Sequence, residues 1–175
     1  KTLNKIYLDK FSSKLCGKYR KRHFEGVLNV VNRFLEIINP RYIYLGEKDF
    51  QQLCLIKKHI KKNKINTTVI SCKSIREKNG LVYSSRNTHL NNNQKIIASK
   101  IYKILKRFKL NLIKNKLLKI NYSSLRSRLF YCGIKKIDYI EILDLKTLKR
   151  PLTNKNKFNI FIAYYLGNIR LIDNI

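Results

Sequence analysis

The strongest constraint in this sequence is an alternation of periods between residues 26 and 72. Val27, Val30, Val31, Phe34, Leu35 and Ile38 recur at helical spacing, so residues 26–38 are expected to form a helix whose apolar stripe faces a core. Asn39-Pro40 ends that helix. Residues 41–45, RYIYL, are short, β-branched and aromatic, the composition of a buried strand, and Gly46 punctuates its end. A second helical pattern covers about residues 49–62, with Phe50, Leu53, Cys54, Ile56 and Ile60 on its apolar face and Lys57 interrupting that stripe. Residues 65–72, INTTVISC, read as another strand. Two strands joined through a helix run parallel, and ligands of such sheets sit beyond the carboxyl ends of the strands. The expected fold class is therefore α/β.

After residue 74 the texture changes. A polar loop, SIREKNG (74–80), leads to a short expected strand, LVY (81–83), and then SSRN (84–87). A long amphipathic helix is expected to start near a cap at 91–93, with Ile97, Ile101, Ile104, Leu105 and Phe108 on one face. A shorter one, 123–132, should end at Gly133 as a C-cap. Strands are expected at 137–143, 158–166 and 169–172, the last two joined through Gly167-Asn168, a hairpin signal. A boundary near Ser74 separates a partial Rossmann-like domain (1–74) from a small α+β domain (75–175).

With 175 residues, 44% of them hydrophobic, the chain has enough apolar side chains for a proper core. Its 39 Lys plus Arg against 10 Asp plus Glu give a net charge of +29, which raises the alternative of a basic nucleic-acid-binding module. The lysines are spread along the whole chain, in KKHIKKNK (57–64), KILKRFK (103–109) and KNK (114–116 and 155–157). Lys, Asn and Ile, all heavily used here, have codons rich in A and T, so solvated surface lysine accounts for the charge without a specific nucleic-acid partner. No apolar run approaches bilayer length and the start, KTLNKIYLDKF, lacks a secretory core, so a cytoplasmic chain with no membrane partner is expected. Cys16, Cys54, Cys72 and Cys132, with His23, His59 and His89, show no metal-ligand spacing, and the cysteines read as reduced thiols with no metal site.

Three short stretches carry chemistry. Gly46 lets a ligand approach the backbone, and the helix after Glu47, Lys48 and Asp49 offers free N–H groups and a positive dipole end to a phosphate. Lys48 adds a cation, and Asp49 either caps the helix or accepts from a ribose diol. Ser84, Ser85 and Arg86 supply two hydroxyls and a forked guanidinium, a set that reads phosphate oxygens directionally. Arg20, Arg22 and His23 in YRKRHF form a third basic cluster, which also reads as a solvated loop.

Taken in order, HFEGVLNVVNRF, GEKDFQQL and REKNGLVYSSRN resemble the pantothenate synthetase family, the pantoate–β-alanine ligases, and the likeness runs through YLGNIRLIDNI at the end. The resemblance implies a nucleotidyltransferase-type Rossmann domain and a small C-terminal domain in a cytoplasmic homodimer. The implied reaction condenses pantoate and β-alanine to pantothenate with ATP and Mg²⁺, through a pantoyl adenylate. By position it implies ATP contacts at Gly46, Glu47, Lys48, Asp49, the Ile75 backbone, Tyr83, Ser84, Ser85 and Arg86, with Lys48, Ser84 and Arg86 as the phosphate contacts. Gln52 would bind pantoate, and Arg20 and His23 match the family's R-P-G-H-F element. Two departures stand out: Lys21-Arg22 replaces Pro-Gly, and the family's N-terminal H-x-G-H element is absent. The chain is similar to the C-terminal part of such enzymes, which leaves open a nucleotide-binding remnant without turnover.

Overall fold

The computed structural model describes residues 6–114, 121–153 and 157–175, so the lysine runs at 114–116 and 155–157 lie partly outside the described residues. The chain divides into two compact units, Lys1–Ser74 and Ile75–Ile175. The architecture is α/β, with a parallel strand pair in the first unit and an antiparallel sheet in the second.

The first unit contains α1 (Leu15–Tyr19), α2 (His23–Ile38), β1 (Tyr42–Gly46), a 3-10 turn at Glu47–Asp49, α3 (Phe50–Lys62) and β2 (Thr68–Cys72). The strands pair in parallel, from Tyr42 opposite Thr68 to Gly46 opposite Cys72. α2 stops at Asn39, whose left-handed φ of 46° lets its N–H return to the Leu35 carbonyl. Gly17 is required because a Cβ there would lie 1.6 Å from the Ser12 carbonyl oxygen.

Three expectations are corrected here. The stripe expected to face a core does so only at Leu35: α2 buries Phe24, Leu28, Asn32 and Leu35, while Val30, Phe34 and Ile38 are 56%, 57% and 64% exposed. α2 carries two apolar stripes, and α3 seats on the one containing Asn32 because His59 of α3 bonds to that side chain. The strand at 41–45 is not buried either; Tyr42 and Tyr44 stand 44% and 66% exposed, and β2 contains no buried residue. A two-stranded pair presents backbone edges and faces that only further elements could cover. β2 also starts later than residue 65, since the Ile65 N–H closes the end of α3 on Ile60 and the Thr67 hydroxyl is drawn to the Pro40 carbonyl.

α3 buries Leu53, Leu55, Ile56 and Ile60 together with two polar side chains, Gln51 and His59. His59 is 1% exposed. Its Nε2 meets Asn32 Oδ1 at 2.9 Å, Asn63 Nδ2 meets its Nδ1 at 3.2 Å, and Asn32 in turn donates to Glu36 at 2.8 Å. The ring thus donates at one nitrogen and accepts at the other, which only the neutral form does.

In the second unit α4 (Asn92–Lys114), α5 (Tyr122–Tyr131), β3 (Lys136–Asp144), β4 (Phe158–Leu166) and β5 (Ile169–Asn174) follow one another. The strands form an antiparallel meander ordered β3-β4-β5, with Gly167 at φ 60° in the β4–β5 turn. α4 opens with a reciprocal cap: Gln94 N–H donates to Asn91 Oδ1 and Asn91 N–H to Gln94 Oε1, both at 2.9 Å. Ile101 and Leu105 of α4 and Leu125 and Leu129 of α5 join Ile142, Ile160, Ile162 and Leu166 in one core, with Ile97, Ile104 and Phe108 packed at its margin. Full burial of each such side chain contributes about 2 kcal/mol. Gly133, at φ 103°, ends α5 by returning its N–H to Phe130. The expected strand at 81–83 is reduced to a single antiparallel bridge between Arg76 and Val82, because residues 75–83 fold back on themselves instead of joining the sheet.

Burial holds the His59 pKa below the ordinary histidine value. As pH falls through about 6.5, the unfolded chain takes up a proton that the folded one resists, so stability present above that value is lost below it. Urea unfolding at pH 7.5 and 5.5 should show a smaller midpoint at the lower pH, and His59→Gln should lose less on acidification than the wild type.

Candidate active site

In the first unit the turn 46–49 forms because β1 must hand over to α3 at the carboxyl end of a parallel pair. Gly46 is extended, at φ −71°, and a Cβ built on it meets no atom within 4 Å, so the space over its backbone is open. Asp49 occupies the position before α3, yet its carboxylate makes no capping bond and remains exposed to solvent. Of its two sequence readings, the helix cap is not realised. Glu47 and Lys48 are half-buried in the same turn.

The adjacent amides divide the work. Gln51 is 5% exposed: its Oε1 accepts from the Cys16 N–H at 3.0 Å, and its Nε2 donates to the Phe11 and Lys14 carbonyls at 2.6 and 2.7 Å. It staples residues 11–16 to the start of α3. Gln52 instead lines a cavity of ≈ 550 Å³ with Lys21, Arg22, His23, Gly26, Val27, Val30 and Val31. The upper part of the α2 stripe that misses the core is therefore the apolar wall of this cavity. Cations from YRKRHF stand on its rim, and Arg20 Nη1 meets His23 Nε2 at 2.9 Å. Arg22, the residue in place of the family's glycine, holds the left-handed φ of 58° that a glycine adopts without strain, and pairs with Glu25 at 3.1 Å.

In the second unit Ser84 opens a 3-10 turn at Ser85–His89, its Oγ accepting from the Arg86 N–H at 3.3 Å. Tyr83, Ser85 and Arg86 project into solvent, and Asn87 is buried beneath them with its Nδ2 donating to the Val82 carbonyl at 2.9 Å. Ile75 is 72% exposed, and its carbonyl accepts from the Tyr83 N–H. Among the described residues no group of three or more His, Cys, Asp or Glu side chains gathers in a metal-binding arrangement. Burial pushes the Cys54 thiol up to about 11, which keeps it protonated and unsuited to nucleophilic work.

Residues 2–175 match the model of the pantoate-beta-alanine ligase family. The chain belongs to that family. It is 39% identical over 182 residues to the pantothenate synthetase of Flavobacterium psychrophilum, covering 100% of this chain and 63% of that one. With the Clostridioides difficile pantothenate synthetase it shares 41% identity over 161 residues, covering 91% and 57%. Among solved structures, the Francisella tularensis ligase complexed with beta-gamma ATP and beta-alanine superimposes with a TM-score of 0.76 at 36% identity, over 97% of this chain and 56% of that one. The pantothenate synthetase of Thermus thermophilus gives 0.83 at 25% identity, over 97% and 61%. The chain thus spans about three-fifths of the length of these family members. No helix among the described residues is long and apolar enough to cross a membrane.

The family resemblance picked out Gln52 and gave Gln51 no role, so the structural part that Gln51 plays was missed. The period of α3 does not single out Gln51, since Gln52 is spaced from Leu55 and Ile56 as a core residue would be; what buries Gln51 is its set of partners in residues 11–16. Gln51→Ala should destabilise the chain by about 3 kcal/mol, because it leaves a buried N–H and two carbonyls unpaired, whereas Gln52→Ala should stay within about 0.5 kcal/mol of wild type. Denaturant unfolding of the two variants checks this contrast. Arg22→Gly should gain about 1 kcal/mol by relieving the left-handed backbone, read as a higher thermal midpoint.

Proposed function

We propose that this chain carries nucleotide- and pantoate-binding machinery of an ATP-dependent pantoate–β-alanine ligase. The observation that supports it most directly is the cavity beside Gln52. A side-chain amide answers the hydroxyl and carboxylate of a hydroxy acid, cations at the rim answer its charge, and the Val27, Val30 and Val31 wall suits a branched hydrocarbon centre. In the proposed reaction a pantoate carboxylate oxygen bonds to the α-phosphorus of ATP and pyrophosphate leaves. The amine of β-alanine then bonds to the acyl carbon of the pantoyl adenylate, AMP leaves, and the amide of pantothenate remains.

Each unit carries its own candidate nucleotide groups. In the first, Gly46, Glu47 and Asp49 would hold ATP, the Asp49 carboxylate being available to a ribose diol because it does not cap α3. Lys48 would meet the phosphates. In the second, Ser84 and Arg86 would hold triphosphate oxygens, with Ser85 and Tyr83 beside them and the Ile75 backbone at the adenine. Fixed cations and hydroxyls of this kind stabilise charge that gathers on the phosphoryl oxygens without reorganising. Mg²⁺ would arrive with the nucleotide, neutralising phosphate charge; the described residues offer no cluster of their own to hold it, and no step above runs through it. A cytoplasmic homodimer completes the proposal.

A second reading is nucleotide binding without turnover. ATP-, pantoate- and β-alanine-dependent AMP formation separates the two, measured on the 175 residues alone and on the same chain with any residues that precede Lys1 in its gene. The expected outcome is little turnover by the 175 residues and full turnover by the longer product; none in either supports the second reading. In the active form Lys48→Ala and Arg86→Ala should each lower AMP formation about 10²-fold with the fold intact, and wild-type rates would remove these residues from the site. Gln52→Ala should weaken pantoate binding more than ATP binding in separate titrations.

A further inference from the structure

Arg76 lies at the start of the segment that leads to Ser84 and Arg86, and nearly all of its bonding capacity is spent inside the second unit. Residues 75–83 form a small hairpin: the Tyr83 N–H donates to the Ile75 carbonyl at 3.0 Å, the Glu77 N–H to Leu81 at 2.8 Å, and Arg76 bridges Val82. Gly80 makes the turn at φ 95°, so close to the Tyr102 ring that a Cβ would fall 2.1 Å from it. The Arg76 guanidinium stacks over the same ring at 4.4 Å. It forks onto both Asp173 oxygens at 2.7 and 2.8 Å and donates to the Asn174 and Gly80 carbonyls at 3.0 and 3.1 Å. The side chains of the pair are 18% and 9% exposed. One planar cation therefore ties the hairpin turn to α4 through Tyr102 and to the end of β5.

The turn bearing Ser84 and Arg86 continues directly from this hairpin. Asn87 reaches back to the Val82 carbonyl, and the Asn87 N–H returns to Ser84 at 3.0 Å. Its place is thus fixed through Val82, which is in register with Arg76. We propose that the Arg76–Asp173 pair is a positioning device for nucleotide binding, holding Ser84 and Arg86 where they meet the triphosphate. The proposal rests on the ATP reading above. A lysine keeps the charge of Arg76 but cannot fork onto Asp173 while also reaching two carbonyls.

The test titrates the wild-type chain, Arg76→Lys and Asp173→Asn with ATP and with AMP, and follows exchange of the Tyr83 and Asn87 amides in the same proteins. Both variants should bind ATP about tenfold more weakly, hold AMP within about twofold of wild type, and exchange those amides faster. Equal losses for ATP and AMP, or unchanged ATP affinity in a folded variant whatever its melting temperature, would overturn the positioning role and leave the ATP reading standing. A wild-type chain that binds no ATP overturns both. Should Arg76→Lys fail to fold, Asp173→Asn, which keeps the shape of the carboxylate and an acceptor oxygen, decides the question.

Discussion

Two parallel strands cannot be closed by a tight turn, and the first unit is organised around that fact. β1 and β2 pair through five residues, so α3 has to travel back along them before β2 can begin. The crossover places the start of a helix immediately after the glycine that ends a strand. Three candidate site features of this unit sit at that junction: open space over Gly46, an Asp49 side chain that does not cap α3, and Gln52 one residue past the amide that fastens the helix down. A strand pair of the opposite sense would have needed none of this.

The second unit solves a simpler problem by simpler means. Its meander closes with a short turn between β4 and β5, and a reciprocal side-chain cap starts the helix that covers the core. These devices are local, which is why most were legible: a cap at 91–93, Gly133 and Gly167 announce themselves within a few residues, though the part of Gln94 in that cap was not read. The GEKD turn and the SSRN turn were legible for the same reason.

What escaped the sequence depends on partners far along the chain. Gln51, His59 and Arg76 look like surface residues in any window, yet each is held by a partner 27 to 97 positions away: Gln51 by Phe11, His59 by Asn32 and Arg76 by Asp173. Sequence period could say that α2 had an apolar stripe; it could not say which of two would meet α3. The buried pair of Asn32 and His59 made that choice, because a polar contact between helices has one satisfying geometry where aliphatic side chains have many. Residues assigned to the core stripe instead became the wall of a cavity.

The left-handed backbone at Arg22 has a consequence at the level of codons. A single G-to-A change at the first base turns a GGA glycine into an AGA arginine, the direction in which an AT-rich code drifts. The loop can absorb that change because its shape is held from outside the residue: the His23 N–H returns to Arg20, the Gly26 N–H to Arg22, and the Arg20 side chain to His23. The turn is thus specified by the contacts on either side of it rather than by the residue at its apex, and the strain that Arg22 carries is a cost its neighbours tolerate.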